Sequence, residues 1–579
     1  MKKIVLLLAL FIGFIANSQT TFEWAKSIGG QNFDDANAIV LDAQGNVYIT
    51  GKFQKFVGTQ VDFDPGPGVY NIAAVGQYDA FVVKLNSNGD FQWAKSFGGA
   101  TINNSGTAGV VSGNGITVDT NGNVFTTGTF TYSADFDPSP TTDFVLTAIN
   151  QFGNAATDVF ISKLDSNGNF VWAKRIGSQF FEEGVAITAD SSNNIIVTGK
   201  FAGTVNFNTS GGTSELTGVS SSSGFILKLD NNGNFGWVKS ISGAGVEVVY
   251  AVAVDNSGNV FATGNFASAT DLDTGTSVYK ITGSGIFVLK LDASGNFIFA
   301  KGFVGNSNLD CTAIKVDASG NIFTTGSFLD TVDFDPSATT YNLVTDYTGQ
   351  DVFLSKLDNL GNFVWAKRLY TTADDTANSL VLDNLGNVYI SPNFRSVPFA
   401  IDNGPNIFQS TQFSRNLSIL KFDTAGTLVA KNFIEGLETI QSYIAVDNNY
   451  SIVTFGTFGS TVDFNPDTPV FNLISNGQSD VFISKIKLKN ETLSVNQNNL
   501  LKTIALFPNP TQSKLNLKTS NSLENANLKI VSILGQTVLE KQNLSGNNWN
   551  IDVSNLAKGV YVIQVSDGVF MTNTKFIKD

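Results

Sequence analysis

Six short segments of this chain carry acidic or amide side chains two positions apart. They read VDFDP at 61–65, ADFDP at 134–138, VDFDP at 332–336, VDFNP at 462–466, VNFNT at 205–209 and DLDT at 271–274. Alternate residues of an extended segment project to one side. Asp62 with Asp64, Asp135 with Asp137, Asp333 with Asp335, and Asp463 with Asn465 thus offer paired oxygens of the kind that chelate Ca²⁺. A Ca²⁺ ion takes roughly six to eight oxygens, and the third acid and the glycine of a D-x-D-x-D-G loop are missing. A structural turn is therefore expected, with calcium as the alternative and no other cofactor. A second acidic set, Asp34-Asp35, Glu182-Glu183, Glu247, Asp310 and Asp374-Asp375, stands just ahead of strand-like runs. A solvated rim is expected there, with a cation or substrate mouth as the alternative. Paired carboxylates can also cleave glycosides, but nothing in the sequence sets two of them at a defined separation.

Other chemistries are excluded by composition. The 579 residues contain no histidine, which removes Ser-His-Asp and Cys-His catalysis and every His-ligated metal. The one cysteine, Cys311 in LDCTAIKVD, reads as a buried, inert thiol. A net charge of −14 disfavours nucleic acid and anionic membrane surfaces as partners. The opening MKKIVLLLALFIGFIANSQT has a basic start, an apolar stretch and a small-residue cleavage site, so residues 1–18 are expected to be a secretory signal peptide. No stable membrane insertion is expected, since the apolar stretch is short for a bilayer span.

The elements that must position the acidic pairs are repeats. A lysine following the Trp-Ala pair or its equivalent recurs at 26, 95, 174, 239, 301, 367 and 431, at spacings of 62 to 79 residues. A second lysine recurs at 84, 163, 228, 290, 356, 421 and 485. Between the two lies a D-x-x-G-N turn, as in Asp165-Ser-Asn-Gly168-Asn169, flanked by β-branched and aromatic residues. Asp and Asn accept local backbone hydrogen bonds and Gly takes the positive φ, so each turn joins two strands. A second hairpin of the same kind, such as AIVLDAQGNVYITGKF (38–53), brings each unit to four strands. Apolar residues on both faces call for a sheet covered on both sides. The fold expected is all-β: a seven-bladed β-propeller over 21–488, in which residues 22–28 close the ring by pairing with 480–487.

The D-x-F-x-x-K-L-D-x-x-G-N-F-x-W-A-K units resemble the bacterial seven-bladed β-propeller repeat found in secreted proteins. Two units depart from it: Phe299 replaces Trp, and TAGTLVAK (424–431) is a residue short and lacks the aromatic, which leaves that outer edge in question. The regular lysines are expected to lay their stems over apolar surface with the ammonium in water. The column Trp24, Trp93, Trp172, Trp237 and Trp365 is expected to pack between blades, with a sugar platform as the alternative.

A polar linker at 489–503 leads to alternating strands over 504–579, expected to form a small Ig-like β-sandwich. This segment resembles the type A C-terminal sorting domain of the type IX secretion system of Bacteroidota. The matching residues are Phe507 with Pro508, Asn509 and Pro510, then VSILG ending at Gly535, then Leu556, Lys558, Gly559, Val560 and Tyr561, and Lys575. The resemblance implies the secretion machinery as a partner and delivery to the outer cell surface or beyond.

The function expected is non-enzymatic binding of a glycan or a protein by a monomer, through the long connections between second and third strands and between units. The alternative is a polysaccharide hydrolase or lyase using Asp and Glu of those connections. A site should break the repeat, and the sixth unit does so most, at SPNFRSVPFAIDNGPN (391–406).

Overall fold

A computed structural model describes residues 20–488 and 504–579, apart from short internal stretches of which the longest are 403–415 and 435–441. The expected signal peptide and linker lie outside the described residues. The chain divides into two compact units, Met1–Glu491 and Thr492–Asp579. Every regular element described is a β-strand.

The first unit is a series of four-stranded antiparallel meanders. The first runs Asp34–Leu41, Val47–Gln54, Tyr78–Leu85 and Phe91–Gly99, and the pattern returns in sheets that begin at Val111, Glu183, Val248, Asp310, Thr376 and Ser442. The sheet beginning at Ser442 takes its outer strand from the other end of the chain: Thr20–Ile28 pairs with Asp480–Leu488, with Thr20 opposite Leu488 and Ile28 opposite Val481. First strands of successive sheets touch in chain order, and Ser442–Val446 also meets Asp34–Leu41.

Local chemistry accounts for the hairpins. Asp165 Oδ1 accepts the backbone N–H groups of Asn167 and Asn169 at 2.9 and 2.8 Å, and Gly168 takes φ 80°. The same bonds recur at Asp230, Asp292 and Asp358. Side chains tie neighbouring first strands together. Asn37 Nδ2 donates to Gly113 O at 2.9 Å and Asn114 Nδ2 donates to Gly184 O at 3.0 Å.

Where neighbouring sheets splay apart, the space between them must be filled. The middle residue of each acidic segment fills one such wedge. Phe63 is 1% exposed, lies 5.2 Å from Phe53 and 5.3 Å from Phe81 between ring centroids, and packs in one cluster with Ile28 and Val481 of the neighbouring sheet. Phe136, Phe207, Leu272, Phe334 and Phe464 do the same at five further junctions, and Phe399 at the seventh. Each is fully buried.

The second unit pairs Ile504–Phe507, Lys514–Ser532, Gly559–Ser566 and Met571–Lys578 in one antiparallel sheet, with Thr537–Asp552 also pairing Lys514–Ser532. Leu515, Leu528, Ile530, Ile551, Ile563 and Phe576 form its core.

Phe334→Ala should cost about 3–5 kcal/mol, measured by denaturant unfolding of the first unit. An unchanged midpoint would contradict the wedge-filling role.

Candidate functional site

The paired acids of the D-x-D segments face their own loops. Asp62 Oδ1 accepts the N–H groups of Asp64 (3.0 Å) and Tyr70 (2.8 Å). Asp135 holds Asp137 and Phe144 in the same way, Asp333 holds Asp335 and Tyr341, and Asp463 holds Asn465 and Phe471. The second acid caps the tip: Asp64 accepts from Gly66 N, Asp137 from Ser139 N and Thr142 Oγ1, and Asp335 from Ser337 N and Thr339 Oγ1. Each segment thereby becomes a small hairpin such as Val61–Asp62 with Asn71–Ile72. The carboxylates are half-buried and spend lone pairs on backbone donors. Among the described residues, no three acidic or cysteine side chains gather closely enough to hold a metal ion.

The second acidic set separates into two kinds. Asp34, Glu182 and Asp375 are buried and fold back on the residue four before. They accept from Gly30 N at 2.7 Å, Ser178 N at 2.8 Å and Thr371 N at 2.6 Å. Glu247 is buried likewise and accepts from Thr270 Oγ1 at 3.1 Å. Their partners stay half-exposed, and Asp35 and Glu183 pair with Lys52 at 3.6 Å and Lys200 at 2.8 Å. The expected acidic rim therefore loses half its members to the links between sheets, where buried backbone N–H groups need acceptors.

These buried acids meet others at the starts of third strands. Burial, and then the nearby Asp480 carboxylate, push Asp34 up to about 7. Burial and the nearby Glu182 push Asp158 up to about 7, against the Arg175 guanidinium. Oδ1 of Asp34, of Asp158 and of Asp480 has no hydrogen-bond partner.

The regular lysines differ in burial: those of the first series stay half-exposed, whereas several of the second are withdrawn from water. Lys163, Lys356 and Lys485 are 5–8% exposed. Each reaches into the next sheet and donates to a carbonyl of its third-to-fourth turn: Lys163 to Asn231 O at 3.1 Å, Lys356 to Thr424 O at 3.1 Å and Lys485 to Ser87 O at 3.1 Å. Beneath, Lys163 and Lys356 cap Phe125 and Phe323 at 5.2 and 5.0 Å. The tryptophans grip the same turns. Trp93 Nε1 donates to Ser166 O at 3.2 Å and its ring lies against Gly168. Trp24 against Gly89 repeats this where the two chain ends meet. Phe299 stands in against Gly361. By register Ala430, opposite Lys421, occupies the tryptophan position of its sheet. That outer strand is complete, Leu428–Ile434, and needs no aromatic. In the sheet that follows, the outer strand comes from the N-terminus, so no third-to-fourth turn is there to be gripped.

The sixth unit breaks the pattern for a backbone reason. Elsewhere a glycine sits mid-way along the second strand, as at Gly199, where a Cβ would lie 1.9 Å from Glu183 O. Pro392 takes that place opposite Ala377, and the bulge beside it widens to pass Asn378 and Ser379. In place of an acidic hairpin, Ala400–Ile401 pairs with Leu369 and Tyr370 of the preceding sheet, and Asp402 pairs with Lys367 at 2.8 Å. Residues 395–398 and 403–406 of this stretch lie outside the described residues.

In the second unit, Pro508, Asn509 and Pro510 lie exposed at the surface. Asn509 binds the last strand twice, donating to Lys575 O at 3.1 Å and accepting from Ile577 N at 2.9 Å. Tyr561 OH donates to Ala557 O at 3.0 Å, and its ring stacks on Phe576 at 5.7 Å. Lys558 and Lys575 are exposed, Gly559 pairs with Lys578, and Gly535 lies outside the described residues. Residues 505–579 match the family model described as the secretion system C-terminal sorting domain. The tail is a sorting domain. It directs secretion and cell-surface attachment through the type IX secretion system, implies interaction with that machinery, and implies a source among the Bacteroidota.

Residues 92–137 match the β-propeller repeat model, so the sorting domain follows an all-β chain of antiparallel sheets bearing that repeat. An uncharacterized WD repeat-containing protein, L264, of Acanthamoeba polyphaga mimivirus is 27% identical over 93% of this chain and 44% of its own length. The chain thus spans less than half of that relative. Among solved structures, Sqt1 from Chaetomium thermophilum aligns with a TM-score of 0.36 at 8% identity, over 80% of this chain and 99% of Sqt1. A Glu150Gln mutant of the Synechocystis apocarotenoid oxygenase aligns at 0.35 and 11%, over 79% and 94%. Both superpositions are too loose to bear on this fold.

The buried acids set a pH dependence. An unfolded aspartate titrates near 3.8, whereas Asp34 and Asp158 titrate near 7 in the fold. Between those values the folded chain binds more protons than the unfolded one. The stabilisation is full below about pH 4 and is lost as pH rises through 7. Thermal midpoints should fall by several degrees from pH 5 to pH 8, and Asp34→Asn with Asp158→Asn should flatten that slope.

Proposed function

We propose that this chain is a surface-displayed binding protein whose first unit is a seven-bladed β-propeller over 21–488 and whose tail over 504–579 is an Ig-like sandwich. It recognises a glycan or a protein as a monomer, without catalysis. The observation that carries this reading is a set of exposed aromatics repeated on the second-to-third connections. Tyr70, Phe144, Tyr279, Tyr341 and Phe471 are 38–42% exposed. Each leans on an aromatic of its sheet's outer strand, at centroid distances of 5.0, 4.9, 5.8, 4.8 and 5.0 Å respectively. Beside them Val69, Val145, Val278 and Val470 are 56–71% exposed. Aromatic and apolar groups held rigidly in water at several equivalent places suit stacking on sugar rings or docking of a partner, with the gain of multivalency.

The hydrolytic alternative has no comparable support. The acids it would use are committed to loop and link N–H groups, and they recur from unit to unit where a reacting pair would be unique. The same commitment argues for a calcium-free fold.

A glycan and protein array probed with the purified chain should give saturable binding that weakens at least ~10-fold when Tyr70, Tyr279 and Tyr341 are changed together to Ser. Binding untouched by that triple change would overturn the aromatic surface as the site. Millimolar Ca²⁺ should leave the thermal midpoint of the same protein within a degree or so, whereas Ca²⁺ held by the D-x-D loops would raise it through linkage.

A further inference from the structure

The seven first strands line an open cavity of about 650 Å³. Most of its lining residues are aliphatic, Ile39, Ile187, Val252 and Leu382 among them, and asparagine, serine, threonine and tyrosine residues add polar surface. Lys315 is the one charged residue that lines it among the described residues. It breaks the repeat sharply. By strand register the corresponding residues of the other six sheets are Val40, Thr117, Thr188, Ala253, Val381 and Ala445.

The Lys315 side chain stands exposed in the cavity. It makes no hydrogen bond or ion pair with any described residue, in contrast to the lysines of the second series, each of which has a carbonyl or a carboxylate to hold. Asp317, two residues on, spends its carboxylate on its own turn, accepting from Ser319 N and Asn321 N at 2.9 Å and from Asn321 Nδ2 at 2.7 Å, and Asp310 lies five residues away towards the opposite end, roughly 16 Å along an extended chain. An ammonium with no paired carboxylate among the described residues, standing beside aliphatic walls, suits an anion brought by a ligand, which it can hold by a charge-assisted hydrogen bond.

We propose that this cavity is a binding site for a small monocarboxylate with an apolar body, its carboxylate paired with Lys315 and its body laid along the isoleucine and valine walls. The single positive charge sets the ligand charge at one, and the aliphatic lining sets the rest of the molecule. The site is separate from the aromatic perimeter proposed above and does not depend on it.

Sodium octanoate titrated into the purified full-length chain by calorimetry tests this. One saturable site is expected per chain. Lys315→Met should weaken it at least ~10-fold, while Lys315→Arg retains binding. Octanol, which lacks the charge, and acetate, which lacks the body, should each bind at least ~10-fold more weakly than octanoate. Because all six corresponding positions carry Val, Thr or Ala without loss of the strand, and the side chain stands in a void, Lys315→Met should keep its thermal midpoint. Should it unfold, the octanol and acetate comparisons on the parent chain decide alone. The proposal is overturned if octanoate shows no saturable binding, if a folded Lys315→Met variant binds it as tightly as the parent, or if acetate or octanol matches it.

Discussion

A turn made by one sheet is held by a lysine and an aromatic made by the sheet before it, and the rest of the first unit depends on that handover. Lys163 and Trp172 both reach the carbonyl of Asn231, and the indole covers the glycine that lets the chain reverse there. The ammonium is removed from bulk water, but it keeps a carbonyl partner and an aromatic face below. Desolvation is thus offset by a charge-assisted hydrogen bond and a cation–π contact. No sheet can supply this to itself. A sheet with two apolar faces, whose turn needs a neighbour's cation, is stable only in a series.

Tryptophan and phenylalanine serve opposite ends of the sheets. The tryptophans seal the third-to-fourth turns at one end, and the phenylalanines of the acidic segments fill the space between sheets at the other, where Phe63 meets Phe53 and Phe81. The preceding aspartates, Asp135 and Asp333, turn the chain sharply enough to drive Phe136 or Phe334 between sheets, by accepting two N–H groups each. The carboxylates therefore shape the hairpin, and the buried ring between them supplies the cohesion.

Much of this was legible in the residues. β-branched and aromatic runs apolar on both faces and the D-x-x-G-N spacing pointed to four antiparallel strands per unit and an all-β chain, and the ordered motifs from Phe507 to Lys575 pointed to the tail. Those signals are local, and local hydrogen bonding decides them. What was not legible crosses from one unit to the next. Lys163 reads as a lysine with its ammonium in water because its partner Asn231 lies 68 positions on. Asp34 looks like half of an exposed acidic pair because its burial is set by Asp480 and the link at Gly30. TAGTLVAK looked defective, and Ala430 proves sufficient because the following sheet has no turn at that place. Lys315 was hidden in an unremarkable strand until register showed that only small or apolar residues fill its place in the other sheets.

The outer strand at Thr20–Ile28 has a kinetic consequence. It is the first described piece of the chain to be synthesised, yet its hydrogen-bonding partners, Asp480–Leu488, are nearly the last of their unit. Until they emerge, the early segment has no edge to join, and Trp24 and Lys485 cannot settle on the first sheet's turn. Loop closure over so long a span is slow, so the newly made chain passes through a long interval as an unfastened arc with two sticky ends. The last sheet gains its fourth strand only when that clasp has caught.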